Sequence, residues 1–243
     1  MKKICIITDH ELLYEALKKI IRKPIYLHAH FDFFFSFNNV AFGMKYKSET
    51  FRPICLADQD EFFFSSYDLF ISLHCRQVFP KELVENHICI NVHPGYNPYN
   101  RGWFPHVFSI LNGLPIGVTI HRMDTELDHG PVIYQQEVKI DEADTSYEVY
   151  EKIQNLEICM LDEFLPSIIN GNYTEHPLSS EGNINYKRDF ARLCEIDLKK
   201  PATYGEVIDY LRAMTFTGFR NAFFRDNQGN KIFVSIEFQS EIY

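Results

Sequence analysis

Residues 87–108 read HICINVHPGYNPYNRGWFPHVF. The opening apolar run, HICINV (87–92), fits a strand buried on both faces, and the Pro-Gly pair at 94–95 stops it. A period of two places Asn91 and His93 on one face at the carboxyl end of that strand. A loop rich in Pro, Gly and Asn follows, with Arg101 and the chain's single tryptophan, Trp103. FPHVFSILNG (104–113) then has helical spacing and a glycine stop at Gly113. Strand, polar loop and helix in that order mark an α/β fold, in which ligands bind beyond the carboxyl ends of the strands. Taken alone, Asn-x-His is a weak signal, because a histidine at a strand end is more often a satisfied structural residue.

The flanking sequence extends the pattern in both directions. KICIIT (3–8) suits a buried strand, and DHELLYEALKKII (9–21) a helix with Asp9 as its candidate N-cap. IYLHAHF (25–31) and YDLFISL (67–73) read as further strands. IGVTIHRM (116–123) and PVIYQQEVKI (131–140) alternate like half-buried strands. Residues 144–169 combine a cap signal with apolar positions near a period of 3.6, which predicts one long helix closing at NGN (170–172). The expected sheet is therefore mostly parallel with a mixed edge. SSEGNINYKRDF (179–190) is polar and loop-like and marks a seam between a larger unit, 1–185, and a small module, 186–243. The module should hold a helix at 203–214 and a hairpin in which NAFFRD and KIFVSIEF flank NQGN.

Composition excludes several classes. Of 243 residues 46% are hydrophobic, enough for a sizeable core, and Phe runs such as FDFFFSF (31–37) and EFFF (61–64) read as packing. A net charge of −9, with no Lys/Arg run longer than two, lacks the basic stripe a nucleic-acid binder needs. Six cysteines without a CxxC pair suit reduced thiols in the cytoplasm. The N-terminal apolar stretch is too short for a signal peptide, and no segment is long enough to span a membrane.

A second polar cluster, HRMDTELDHGPVI (121–133), sits between two apolar strands. An Asp, a His and an Asn brought together by strand ends suit acyl transfer: the histidine moves a proton, the aspartate orients it and the amide donates to an oxyanion. No GxSxG and no Cys–His spacing indicates a covalent route. His74, His87, His93, His106, His121 and His129 raise a metal hydrolase as an alternative, but their spacings fit no zinc pattern, and no metal is expected.

INVHPGYNPYNRGWFP (90–105) followed by HRMDTELDHGPVI resembles the folate-dependent formyltransferases, over roughly residues 1 to 170. SLHCRQVFP (72–80), GNINYKRDF (182–190) and LRAMTFTGFRNAFF (211–224) are similar to the subgroup acting on nucleotide-linked amino sugars of bacterial surface polysaccharides. The resemblance implies a Rossmann-like formyltransferase fold with Asn91, His93 and Asp128 as the catalytic triad. It implies 10-formyltetrahydrofolate as donor, held by Cys75, Gln77, Val78, Phe79, Asp124 and Leu127, with Phe79 as an apolar wall. The implied acceptor is a dTDP-linked amino-dideoxysugar, met by Asp9, His74, Arg101, Trp103 and Asn221. Arg101 is the expected diphosphate contact, with Arg76, Lys187, Arg212 and Arg220 as further cations. Also implied are a homodimer made through the C-terminal module and a place in O-antigen or lipopolysaccharide biosynthesis. dTDP-4-amino-4,6-dideoxy-D-glucose is the expected acceptor, and a 3-amino-3,6-dideoxyhexose or a formyltetrahydrofolate hydrolase the alternative. Formylation of methionyl-tRNA is disfavoured by the acidic charge.

Overall fold

β1 (Lys2–Thr8) buries Ile4 and Ile6 on one face and Cys5 and Ile7 on the other. A strand apolar on both sides needs a layer above and below it, which is the setting of a parallel sheet. The computed structural model describes residues 1–46, 48 and 50–239. After β1 come α1 (Glu11–Ile20), β2 (Ala29–Ser36), α2 (Val40–Tyr46), β3 (Phe51–Ile54), α3 (Glu61–Phe64), β4 (Leu69–Leu73), α4 (Lys81–Asn86) and β5 (Cys89–His93). The two-residue β6 (Arg101–Gly102) leads to α5 (Pro105–Asn112), then β7 (Gly117–Arg122), β8 (Val132–Glu137) and α6 (Ser146–Asn170). β9 (Ile184–Asn185), α7 (Lys187–Leu193), α8 (Tyr204–Met214) and the hairpin β10 (Phe223–Arg225) with β11 (Lys231–Phe233) follow.

The sheet order is β3-β2-β1-β4-β5-β7-β8, parallel through β5 and antiparallel at β7 and β8. The mostly parallel sheet with a mixed edge is as the sequence predicts. From β1 the chain runs outward to β2 and β3, then returns to β4 on the other side. The carboxyl ends of β1 and β4 therefore flank a topological switch point, where open α/β sheets leave a crevice. One face of the sheet packs on α1, α5, α6 and α8, and the other buries Phe70, Phe79, Leu83 and Val84 beneath α3 and α4. Leu13, Leu17 and Ile20 anchor α1, each contributing about 1.5–3 kcal/mol by leaving water. α6 begins with a capping box between Thr145 and Glu148 and ends at Gly171 with φ 73°, matching the predicted long helix.

Three expectations change. The strand expected at 25–31 starts at Ala29, because residues 24–26 form a 3-10 turn led by Pro24, and Leu27 is 84% exposed. Phe33, Phe34 and Phe35 supply the buried strand instead, while Phe37 and Phe62 face solvent. The segment 179–190 is more than a polar seam: β9 pairs in parallel with β6, and Arg101 N–H donates to the Asn183 carbonyl.

Asp9 is not the cap of α1. His10 fills that position, its Nδ1 accepting from Leu13 N–H. The Asp9 carboxylate turns inward and accepts from Ser36 N–H (3.0 Å), Ser36 Oγ–H, Asn39 Nδ2–H (3.0 Å) and Arg76 N–H (2.8 Å). One buried carboxylate thus ties the ends of β1 and β2 to the loop after β4. Removing it strands several donors, each costing about 1–3 kcal/mol when left unpaired. Asp9→Ala is expected to lower unfolding stability by about 3 kcal/mol or more in urea titration. A loss below about 1 kcal/mol would show that these donors find water instead.

Candidate active site

Asn91 and His93 leave the end of β5 on the same face, as the alternation predicts. β7 runs antiparallel beside β5 with His121 directly opposite Asn91. A bulge in the β7–β8 pairing falls at Ile120 and His121, the kind of irregularity that re-aims a side chain. Asp128 lies in the turn between β7 and β8 with φ 48°, a left-handed conformation that few non-glycine residues adopt. Its carboxylate comes to rest against all three side chains. Asn91 Nδ2–H donates to Asp128 Oδ1 at 3.0 Å, and Gly102 N–H donates to Oδ2 at 3.1 Å. His93 Nδ1 is 3.5 Å from Oδ2, and His121 Nε2 is 3.7 Å from Oδ1. Asn97 Nδ2–H holds the Asp128 carbonyl at 2.8 Å.

Two glycines are required by this packing. Gly102 has φ 89°, and a Cβ there would lie 2.5 Å from the Asn185 carbonyl oxygen. A Cβ on Gly95 would fall 2.3 Å from His93 Nε2, so this backbone closes directly over the imidazole.

Burial holds His93 down to about 4 against the pull of Asp128, so the ring is neutral near pH 7. Burial pushes Asp128 up, but His93, the neighbouring His121 ring and the Gly102 N–H outweigh it and hold the acid near 2. Asp128 is therefore an anion that faces Nδ1 of a neutral imidazole. His93 then carries its proton on Nδ1 and keeps a lone pair on Nε2, which has no partner among the described residues. A buried, unpaired basic nitrogen beside an amide donor and a carboxylate can accept a proton and stabilise an oxyanion.

The remaining expected site residues divide. Gln77 spends its side chain inside the protein, on the Ile54 carbonyl, Ser36 Oγ and Leu56 N–H. Cys75 is pushed up to about 12 by burial and is no nucleophile. Phe79 is a core residue, 6% exposed beside Leu83 and Phe70, and not a wall of the cleft. Val78 and Leu127 are exposed, and Asp124 accepts from Glu126 N–H and pairs with His129. Arg101 is a correction: its guanidinium is buried and donates to the carbonyls of Leu127 (3.2 Å) and Glu181 (3.2 Å). These two bonds latch the Asp128 turn and point Nη1 and Nη2 inward, while Nε has no partner among the described residues. Arg212 is likewise occupied, by Asp209 and the carbonyls of Asp141 and Asp144. Asn221 donates to the Met214 carbonyl and closes the loop after α8. Trp103 sits at the mouth, 37% exposed, with Lys187 Nζ 3.9 Å above its ring. His74, with φ 54°, stands at the end of β4. Missing from the sequence reading of the site are His121 and Asn97, which contact the triad. The antiparallel register that places His121 opposite Asn91 was the available signal. Among the described residues no group of three His, Cys, Asp or Glu side chains could hold a metal ion.

Residues 46–165 match the family model described as Formyl transferase, and residues 189–240 match the N-formyltransferase dimerization C-terminal domain. Over 175 residues the chain is 47% identical to the dTDP-4-amino-4,6-dideoxyglucose formyltransferase of Mycobacterium tuberculosis, covering 72% of this chain and 75% of that one. The chain belongs to the formyl transferase family. A 4-N formyltransferase from Francisella tularensis superposes on this formyltransferase with a TM-score of 0.94 at 42% identity, covering 99% of each chain. A sugar N-formyltransferase from a Shewanella species gives 0.93 at 34% identity over 100% of each.

Two buried imidazoles and one half-buried give the formyltransferase a pH signature. Burial holds His93 near 4 and both His10 and His106 near 3, against about 6.5 in an unfolded chain. A histidine whose folded pKa is depressed contributes fully above about pH 6.5. That contribution is lost as pH falls toward the folded value, since the unfolded chain binds the proton first. These three groups contribute a loss of about 4 kcal/mol per pH unit around pH 5, three times about 1.36, offset in part by Glu157, whose raised pKa lets the folded chain bind a proton more readily. Asp128 adds to the loss only below about 3.9, its unfolded value. Urea titrations between pH 7 and 4.5 should show the net slope, and His106→Phe should reduce its histidine part by about a third. An unchanged slope in that variant would mean His106 is charged in the folded protein.

Proposed function

We propose that the protein transfers the formyl group of 10-formyltetrahydrofolate to the amine of a dTDP-linked amino-dideoxysugar, dTDP-4-amino-4,6-dideoxy-D-glucose being the acceptor. The observation that carries this is the buried Asn91–His93–Asp128 cluster, in a chain 47% identical to a formyltransferase named for that sugar. Surface-polysaccharide assembly in the cytoplasm is the setting this acceptor suggests. No helix among the described residues is long and apolar enough to cross a membrane.

The neutral amine attacks the formyl carbon, forming a C–N bond and an oxyanion. Asn91 Nδ2–H meets that oxygen. His93 Nε2 takes the proton the amine sheds, and the Asp128 anion stabilises the resulting imidazolium. The proton returns to N10 of the departing folate as the C–N10 bond breaks, so the cycle is proton-neutral. In this reading the donor lies toward the loops at 75–79 and 124–127, meeting their backbone and the exposed Val78 and Leu127. The acceptor lies in the switch-point crevice beside His74 and Trp103. Arg101 and Arg212 are occupied, which leaves the exposed Arg76, Lys187 and Arg220 to meet a diphosphate.

The decisive experiment incubates the protein with 10-formyltetrahydrofolate and a panel of dTDP-amino sugars, read by mass spectrometry. A formylated 4-amino-4,6-dideoxyglucose product is expected, and His93→Gln should lower its turnover by about a hundredfold or more. Formate without any formylated sugar would make the protein a hydrolase. A preferred 3-amino product would move the acceptor to the isomer.

The homodimer is proposed through α8 and the hairpin. Tyr204, Val207 and Ile208 share one exposed helical face, and Ile232 and Phe233 expose further apolar surface on β11. Light scattering should give a dimer at micromolar concentration, and Val207→Asp with Ile208→Asp should give a folded monomer. A monomeric parent protein would end this proposal.

A further inference from the structure

Glu157, midway along α6, is fully buried, and the chemistry above makes no use of it. Its Oε1 lies 2.7 Å from His74 Nε2, and its Oε2 has no partner among the described residues. Burial pushes its pKa up, with His74 pulling the other way. Such an acid costs free energy that an apolar side chain of similar size would not.

The contacts around it form a chain with a direction. Leu13 N–H donates to His10 Nδ1 at 3.4 Å, so the neutral His10 ring carries its proton on Nε2. That N–H faces Tyr150 Oη at 3.2 Å. The Gln154 amide, 2.8 Å away, must then turn its oxygen and not its nitrogen toward the ring, since the two ends exchange by a half-turn. Tyr150 O–H in turn donates to His74 Nδ1 at 3.5 Å, which leaves His74 Nε2–H for Glu157. The chain spans the switch point between β1 and β4, where the His10 and His74 rings are 4.7 Å apart. His74 also holds a left-handed backbone conformation, φ 54°, that few non-glycine residues adopt. Its ring lies close enough to His93 that a proton placed on it would be felt there, after burial, Asp128 and His121.

We infer that Glu157 is a positioning residue for the acceptor: by accepting from His74 Nε2 it fixes the tautomer and ring orientation of the imidazole that floors the crevice near His93. The inference rests on the proposed placement of the acceptor in that crevice. Both His74 nitrogens are used inside the protein, and the side chain stays 13% exposed. A sugar therefore meets a ring edge of fixed orientation. A freed ring would rotate and offer it a polar nitrogen in some molecules and carbon in others.

Glu157→Gln keeps an oxygen that can accept from His74, whereas Glu157→Leu removes it at similar volume. Glu157→Leu removes a poorly satisfied buried acid but strands the His74 N–H, two opposing effects that should leave it folded and melting within several degrees of the parent. Its kcat/KM for the dTDP-amino sugar should nevertheless fall about tenfold, which corresponds to about 1.4 kcal/mol, with the folate KM unchanged. Glu157→Gln should stay within about threefold of the parent, about 0.65 kcal/mol. Nitrogen-15 spectra of the imidazoles should show His74 protonated on Nε2 in the parent and in Glu157→Gln, and a tautomer mixture in Glu157→Leu. The idea is overturned if Glu157→Leu keeps parental acceptor kinetics, if the folate KM rises instead, or if its His74 tautomer is unchanged. Should Glu157→Leu fail to fold, Tyr150→Phe breaks the same chain one link away, and parental acceptor kinetics there would overturn it equally. The tautomer spectra need no substrate, so a parent protein that formylates none of the sugars would overturn the proposed function separately.

Discussion

The Asp128 carboxylate must stay ionised while almost out of water, and much of the site follows from that. Taking such a charge from solvent costs several kcal/mol unless donors replace the water it loses. Here they come from separate segments: Asn91 and the His93 imidazole from β5 and the Gly102 amide from the loop after it, with the His121 ring of β7 packed alongside. Those segments converge because β7 pairs antiparallel with β5 and the turn after it folds back over the strand end. The left-handed φ of Asp128 is a strain that this convergence holds in place.

A second constraint runs through the histidines. His93 and His106 are buried and His10 half-buried without full charge compensation, so each is neutral at physiological pH. For His93 that state is useful, since a neutral imidazole can take a proton and an imidazolium cannot. The same burial makes the molecule sensitive to acid. Stability and basicity therefore share one cause, the exclusion of water from the strand ends.

Period-two and period-3.6 patterns located β1, β4, β5, β7, β8, α6 and α8, because each is set by which faces meet the core. Part of the cluster was legible for a similar reason: strand alternation puts Asn91 and His93 together, whereas the polar turn offered Asp124, Glu126 and Asp128 alike and only the family resemblance singled out Asp128. Side-chain partners were not legible. Arg101 has the sequence context of a ligand contact, yet the carbonyls of Leu127 and Glu181 claim it, and those lie 26 and 80 residues away. Asp9 looked like a helix cap because caps are local, but four long-range donors outbid the helix amides. The strand at 29–36 was misplaced because Phe-rich runs carry no period to read.

Arg101 also ties the segment after α6 to the Asp128 turn. Its guanidinium joins the Leu127 carbonyl, one residue before Asp128, to the Glu181 carbonyl. Two residues further on, Asn183 accepts from Arg101 N–H, and Asn185 accepts from Trp103 N–H. The loop that offers Gly102 N–H to Asp128 is thus held from behind by 181–185, the stretch that leads into α7. Gly182 has φ 62° and sits so close to the Pro98 carbonyl that a Cβ would lie 1.9 Å from its oxygen, which leaves this stretch no second path. A displacement of α7 would pull on β9, then on β6, and then on the amide that keeps Asp128 ionised. The geometry of the carboxylate is therefore tied mechanically to the C-terminal segment, although no residue beyond 185 touches it among the contacts described here.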